Sequence, residues 1–127
     1  MKHKFLALVT IIGLFLAPIS AFGHHGWAAF DSNSTVTFKA TVTEFHFVNP
    51  HSVVEFDVDD GHGRVQKWEG ELTSNLRLAL KGWKANSLEA GTPITITGYR
   101  AQSGVNVIRV IKIVLASGKE LQIEPGN

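Results

Sequence analysis

The 127-residue chain contains no cysteine. That excludes a disulfide framework, a thiolate metal site and a lipid-modified cysteine, so any fold must be held by its hydrophobic core. Net charge is scarce as well, with 12 Lys and Arg against 11 Asp and Glu. Arg64, Arg77, Arg100 and Arg109 are scattered along the chain, whereas a phosphate backbone selects for clustered cations. Nucleic acid is not an expected partner. No serine stands in a Gly-x-Ser-x-Gly elbow, the turn that exposes a nucleophile in many hydrolases. Gly61-His62-Gly63 is followed by neither a helix pattern nor a Lys-Ser/Thr pair, as a phosphate loop requires. With no nucleophile constellation, the chain is not expected to be an enzyme.

One long apolar run is present, and it stands at the start. Lys2 and Lys4 precede the run Phe5–Leu16, which is shorter than the about 20 apolar residues a spanning helix needs. Pro18 breaks the run, and Ala21 and Gly23 place small residues where a signal peptidase reads them. The pattern predicts a secretory signal peptide over residues 1–23 and a single domain over residues 24–127. The expected location is a bacterial periplasm or the exterior, with no membrane span after processing. Without Lys2 and Lys4, ten basic residues face eleven acidic ones, a formal charge of −1. The about 104 remaining residues suffice for one compact core and not for two. Cleavage after Gly23 makes His24 the first residue, while a cut after Ala21 leaves Phe22-Gly23 ahead of it.

Beyond the signal the chain alternates as strands do. Residues 35–48 carry Val36, Phe38, Ala40 and Val42 at every second position, the period of a half-buried strand. This first strand is long, so it is expected to bend or bulge near Glu44. Asn49-Pro50 ends it, because proline lacks the ladder donor. A second strand is expected at residues 52–58 and a third at 64–72, joined by the turn Asp59-Asp60-Gly61-His62-Gly63. The period then changes. Thr73-Ser74-Asn75 offers an N-cap for a short helix at about 74–82, with Leu76, Leu78, Ala79, Leu80 and Trp83 on one apolar side and Gly82 near its end. Strands at 94–99 and 106–115 follow, the latter presenting Val107, Ile111, Ile113 and Leu115, and a short strand at 120–123 closes the series. The expected fold is all-β with one short helix: a small OB-like barrel of five to six strands, the helix between strands three and four. Val42, Val54, Phe56, Val58, Trp68, Ile94, Ile96, Ile111 and Ile113 are the expected core.

The chemical hint lies in the histidines. A free N-terminal His24 chelates through its α-amino and ring nitrogens together, and His25 adds another nitrogen. Nitrogen donors suit copper, zinc and nickel, and Cu(II) is held most tightly of the common divalent ions. His51, at the tip joining the first two strands, is the best third ligand. Asn49, Glu69 or Glu71 could accept from the other nitrogen of a ligating ring. This gives an exported, non-catalytic metal-binding protein, with copper placed ahead of zinc. Opposing readings of the same residues are plain: His51 as a turn residue bonded to backbone, His62 solvated, and His46 either rim-facing or partly buried between Phe45 and Phe47. Glu69 and Glu71, two apart on strand three, are expected on a solvated outer face with Lys67. Gly70 between them marks a bulge or close backbone approach. The alternative function is a rim-binding module that recognises a partner protein in the envelope, a cell-wall glycan or a small ligand, using His51, Trp27 and the loop after strand three as contacts.

Taken as a set, His24-His25-Gly26-Trp27 with Phe30-Asp31, Val48-Asn49-Pro50-His51-Ser52, Trp68-Glu69-Gly70-Glu71-Leu72-Thr73-Ser74, Gly82-Trp83, the run Gly91–Tyr99 and Ser103-Gly104 resemble a family of small exported bacterial proteins known only as a domain of unknown function. The resemblance implies an exported OB-like barrel. It implies no activity, substrate or catalytic residue. A more distant likeness of strand order to periplasmic OB-fold proteins associated with stress tolerance concerns the fold alone.

Overall fold

The computed structural model describes residues 29–123. Its first strand, β1 (Phe30–His46), runs for 17 residues because it serves two neighbours. Residues 30–41 pair with β4 (Pro93–Ala101), and residues 41–46 pair with β2 (Val53–Asp59), both antiparallel. Strand β2 pairs with β3 (Val65–Glu71). Strand β5 (Val107–Leu115) lies antiparallel to β4 and, through residues 107–109, parallel to the end of β3. The ring β1-β2-β3-β5-β4 is thereby closed, and the two-residue β6 (Glu120–Leu121) adds to the free side of β5.

Closure can be followed residue by residue. From Thr35 the lateral pairs lead to Tyr99, Arg109, Glu71, Val53 and His46, returning to β1 eleven residues further along. Such a stagger tilts the strands and lets few of them close on themselves. The expected all-β barrel stands, with the helix α1 (Asn75–Leu80) between β3 and β4.

Two bulges govern which side chains face inward. Val42 opposes Phe56, but the next pair is Glu44 with Glu55, so Thr43 is the extra residue. Val36, Phe38, Ala40 and Val42 face the core before it, and Phe45 and Phe47 pack against the core after it. The bulge expected near Glu44 is therefore present. A second bulge was not expected. Thr97 opposes Lys112 and Gly98 opposes Val110, which leaves Ile111 as the extra residue of β5. It corrects the expected core: Ile108, Val110 and Ile113 are buried, while Ile111 is only half-buried. Val58 also lies half-buried at the edge of the core. The other seven expected members are all buried.

Glycine at position 70 is required by this packing, for an added Cβ would lie 2.7 Å from Val110 Cγ2 and 2.9 Å from Val54 Cγ1. The close approach expected there is made across the barrel interior.

The helix is shorter than expected and begins where Ser74 Oγ accepts from Arg77 N at 3.3 Å, an N-cap contact. Six residues make less than two turns, so only Leu78 is buried, while Leu76 and Leu80 are 67% and 85% exposed. The single apolar side expected from Leu76 to Leu80 does not form. Leu78 and Trp83, with Leu72 and Leu88, do join the core. Strand β1 also starts earlier than its periodicity indicated. Phe30 pairs with Ala101, and the register shifts before Thr35, across the polar stretch Asp31–Ser34. The polar residues Asp31–Ser34 give this part of the strand no hydrophobic alternation to read.

The second bulge is testable by two substitutions on one strand. Ile113→Ala removes a fully buried side chain and is expected to cost about 2–5 kcal/mol. Ile111→Ala is expected to cost less than half as much in the same urea denaturation series. Equal losses would contradict the register of β5.

Candidate metal centre on the first hairpin

Residues that face outward after the Thr43 bulge form the site. Without the extra residue, Glu44 and His46 would continue the inward series of Ala40 and Val42, and two polar groups would enter the core at severe cost. With it, both turn outward beside Glu55. Glu44 sits directly opposite Glu55 on β2, and Glu55 sits directly opposite Glu69 on β3. Three carboxylates thus form a row across three adjacent strands. Like charges placed opposite one another destabilise a sheet, and His46 lies where it relieves them. Its Nε2 is 2.8 Å from Glu55 Oε1 and 3.7 Å from Glu44 Oε2. These side chains are between 38% and 63% exposed, open to solvent ions.

One ligand atom from each of Glu44, His46 and Glu55 falls within 4.8 Å of the others. Two ligands bound tetrahedrally at about 2.0–2.2 Å from a zinc-like ion are about 3.4 Å apart. The distances of 2.8 and 3.7 Å bracket that value, so small rotations would bring the donors onto one ion. Three protein ligands leave a fourth position for water or a ligand, the pattern of an open rather than a closed site.

The sequence-predicted residues fall elsewhere. His24 and His25 lie outside the described residues, as does Trp27. His51 is half-buried in the loop between β1 and β2, with Nδ1 3.4 Å from Glu71 Oε1. Of the three acceptors expected to orient it, Glu71 lies beside it, while Asn49 and Glu69 are exposed. Glu71 departs from the solvated face expected for it. Its side chain is 13% exposed and accepts from Arg109 Nη1 at 3.0 Å, and Arg109 is itself buried. The expectation of a solvated face holds for Glu69 and for Lys67, whose side chain is 86% exposed. His62 is exposed in its turn.

The loop carrying His51 is fixed by its neighbours. Fully buried Ser52 donates through Oγ to Val48 O at 3.2 Å, and its backbone N–H reaches Thr73 O at 3.0 Å. Leu72 N donates to Ser52 O, and Asn75 N donates to Val48 O. The Val48–Ser52 loop and the chain leading into α1 are thereby laced together. Position 51 thus sits in a loop laced by backbone bonds, with its ring against Glu71.

His46 and Glu44 were accessible to sequence reasoning through the bulge, since a phase change at Thr43 sends both outward. Their partner Glu55 was not, because pairing it with Glu44 requires the hairpin register.

The protein is thus a small closed β-barrel bearing a Glu–His–Glu group outside its first hairpin. The chain belongs to a family of unknown function (DUF6152), whose profile matches residues 13–108. Comparison with curated proteins and with solved structures finds no match. Among the described residues, no helix is long and apolar enough to cross a membrane.

The Glu71–Arg109 pair gives a direct stability test. Glu71→Ala leaves a guanidinium buried without that carboxylate and is expected to cost about 3–5 kcal/mol in denaturant unfolding. Adding Arg109→Met to Glu71→Leu should recover most of the loss, as replacing a buried pair by apolar groups often does. Failure of the double substitution to recover stability would show that Arg109 has a further structural role.

Proposed function

We propose that this protein is an exported, non-catalytic metal-binding module that takes a divalent transition ion on the outer face of its first hairpin. The observation that carries the reading is the convergence of Glu44, His46 and Glu55. One imidazole nitrogen and two carboxylate oxygens suit Cu(II) or Zn(II), and the general affinity order places copper first. Export rests on the signal pattern of residues 1–23, and His24 and His25 stand as additional nitrogen donors beside the new terminus.

A groove of about 360 Å³ favours the second reading, a module that binds a small ligand, glycan or partner protein. Its lining includes Thr43, Glu55, Lys67, Glu69, Val105 and Asn106. Because Glu55 belongs to both features, a molecule in this groove would lie beside the ion. Of the contacts expected in that reading, His51 lies against Glu71, and in the loop after β3 the carbonyl of Thr73 accepts from Ser52 N.

Calorimetric titration of Cu(II) and Zn(II) into the protein recovered from the periplasm tests the proposal, with intact mass expected to begin at His24. His46→Gln should weaken binding by more than about tenfold, the loss that even an outer partner of a ligand commonly causes. Metal at a hundredfold above its Kd should raise stability by about 2.7 kcal/mol in the native protein. Binding unchanged by His46→Gln and by Glu55→Gln would overturn the site.

A further inference from the structure

Helix α1 turns its leucines in opposite directions. Successive residues of a helix are rotated by about 100°, so Leu76 and Leu80 each stand about 160° from Leu78. Leu78 is fully buried, and the other two therefore point away from the core, 67% and 85% exposed. Neither belongs to the core, so polar residues at 76 and 80 would serve the fold equally well. Asn75 N donates to Val48 O at 3.1 Å, which sets Val48, 47% exposed, beside the helix start. Three of the five exposed large hydrophobics among the described residues thus lie on or beside α1, the others being Val65 and Val105. Single exposed apolar residues are ordinary, whereas a group of them marks a contact surface.

The charge of this segment has one sign. Between Glu71 and Glu89 the sequence holds no acidic residue. Arg77 and Lys84, before and after Leu80 in the chain, are both exposed. Lys81 lies between them but is already engaged. Apolar side chains flanked by cations match an anionic lipid surface, where leucines enter the headgroup boundary and cations meet the headgroups. A second copy of the chain fits less well, because a symmetric contact through this patch would bring the same cations together. We propose that the outward side of α1, with Val48, is a contact surface for a bilayer of anionic phospholipid. Leu76 and Leu80 enter its boundary, and Arg77 and Lys84 meet its headgroups. The protein rests on the bilayer through this patch, since no described helix is long and apolar enough to cross it. The contact requires no ion and does not depend on the metal reading.

Co-sedimentation of the exported chain with vesicles, in the presence of chelator, tests the contact. Vesicles of equal parts phosphatidylglycerol and phosphatidylcholine are compared with vesicles of phosphatidylcholine alone. The anionic vesicles should bind the protein about tenfold more tightly, and added salt should remove most of that difference. Leu76→Gln with Leu80→Gln should weaken binding to the anionic vesicles by at least about tenfold. Arg77→Gln with Lys84→Gln should weaken it by about tenfold as well, since each cation near the surface contributes about fivefold. All four side chains are exposed, so the thermal melts of both variants should match that of the parent. Neither pair touches the leading apolar run, so binding through that run would be the same in every variant. Binding to neither kind of vesicle, or binding that the leucine pair leaves unchanged, would overturn the proposal. So would a dimer in solution that the leucine pair dissociates, because a second copy would then cover the patch.

Discussion

The extra residue at Thr43 is the constraint on which the rest of the structure depends. A single long strand has to pair with β4 along its first part and with β2 along its last. An uninterrupted alternation would then carry Glu44 and His46 into the barrel. One unpaired residue resets the phase. Phe45 and Phe47 take the inward positions, and Phe45 packs on Trp83 with ring centroids 5.7 Å apart. The same step that completes the aromatic packing therefore pushes a carboxylate and an imidazole to the surface, opposite a second carboxylate. Packing and candidate chemistry have one origin.

The buried polar residues divide the labour differently. Ser52 and Thr73 tie the first hairpin loop to the start of the helix, and Glu71 with Arg109 spans the parallel seam between β3 and β5. This seam, only three residue pairs long, is where the barrel closes. An ion pair there has value through register as well as energy, since a shift of either strand by one residue would separate the two charges and leave each buried alone. Burial of charge on the outward side of a strand is unusual, which is why this strip stands apart from the solvated face around it.

Much of the fold was legible in the sequence because alternation, turn residues and the helix cap are local signals. The order of elements, the bulge near Glu44, the N-cap at Ser74 and most of the core follow from them. What was hidden is non-local. Ile111 reads as a core residue until the pairing of Thr97 with Lys112 exposes the second bulge. Leu76 and Leu80 look like one apolar stripe, but a helix of six residues buries only the side that touches the barrel. The site followed the same division. His51 was picked out by its place in the Asn-Pro-His turn, and Glu71 was among its expected partners. The group of Glu44, His46 and Glu55 requires the register of two strands. Arg109 was read only as part of a scattered positive charge, although it is the buried partner of Glu71.

The role proposed for the first hairpin is tested most directly by anomalous X-ray scattering from crystals grown with Zn(II) and with Cu(II), each measured at its own absorption edge. The predicted result is a peak bonded to His46 Nε2 at about 2.0–2.1 Å, with carboxylate oxygens of Glu44 and Glu55 completing the protein ligands. A peak confined to other residues, or none at saturating metal, would contradict it.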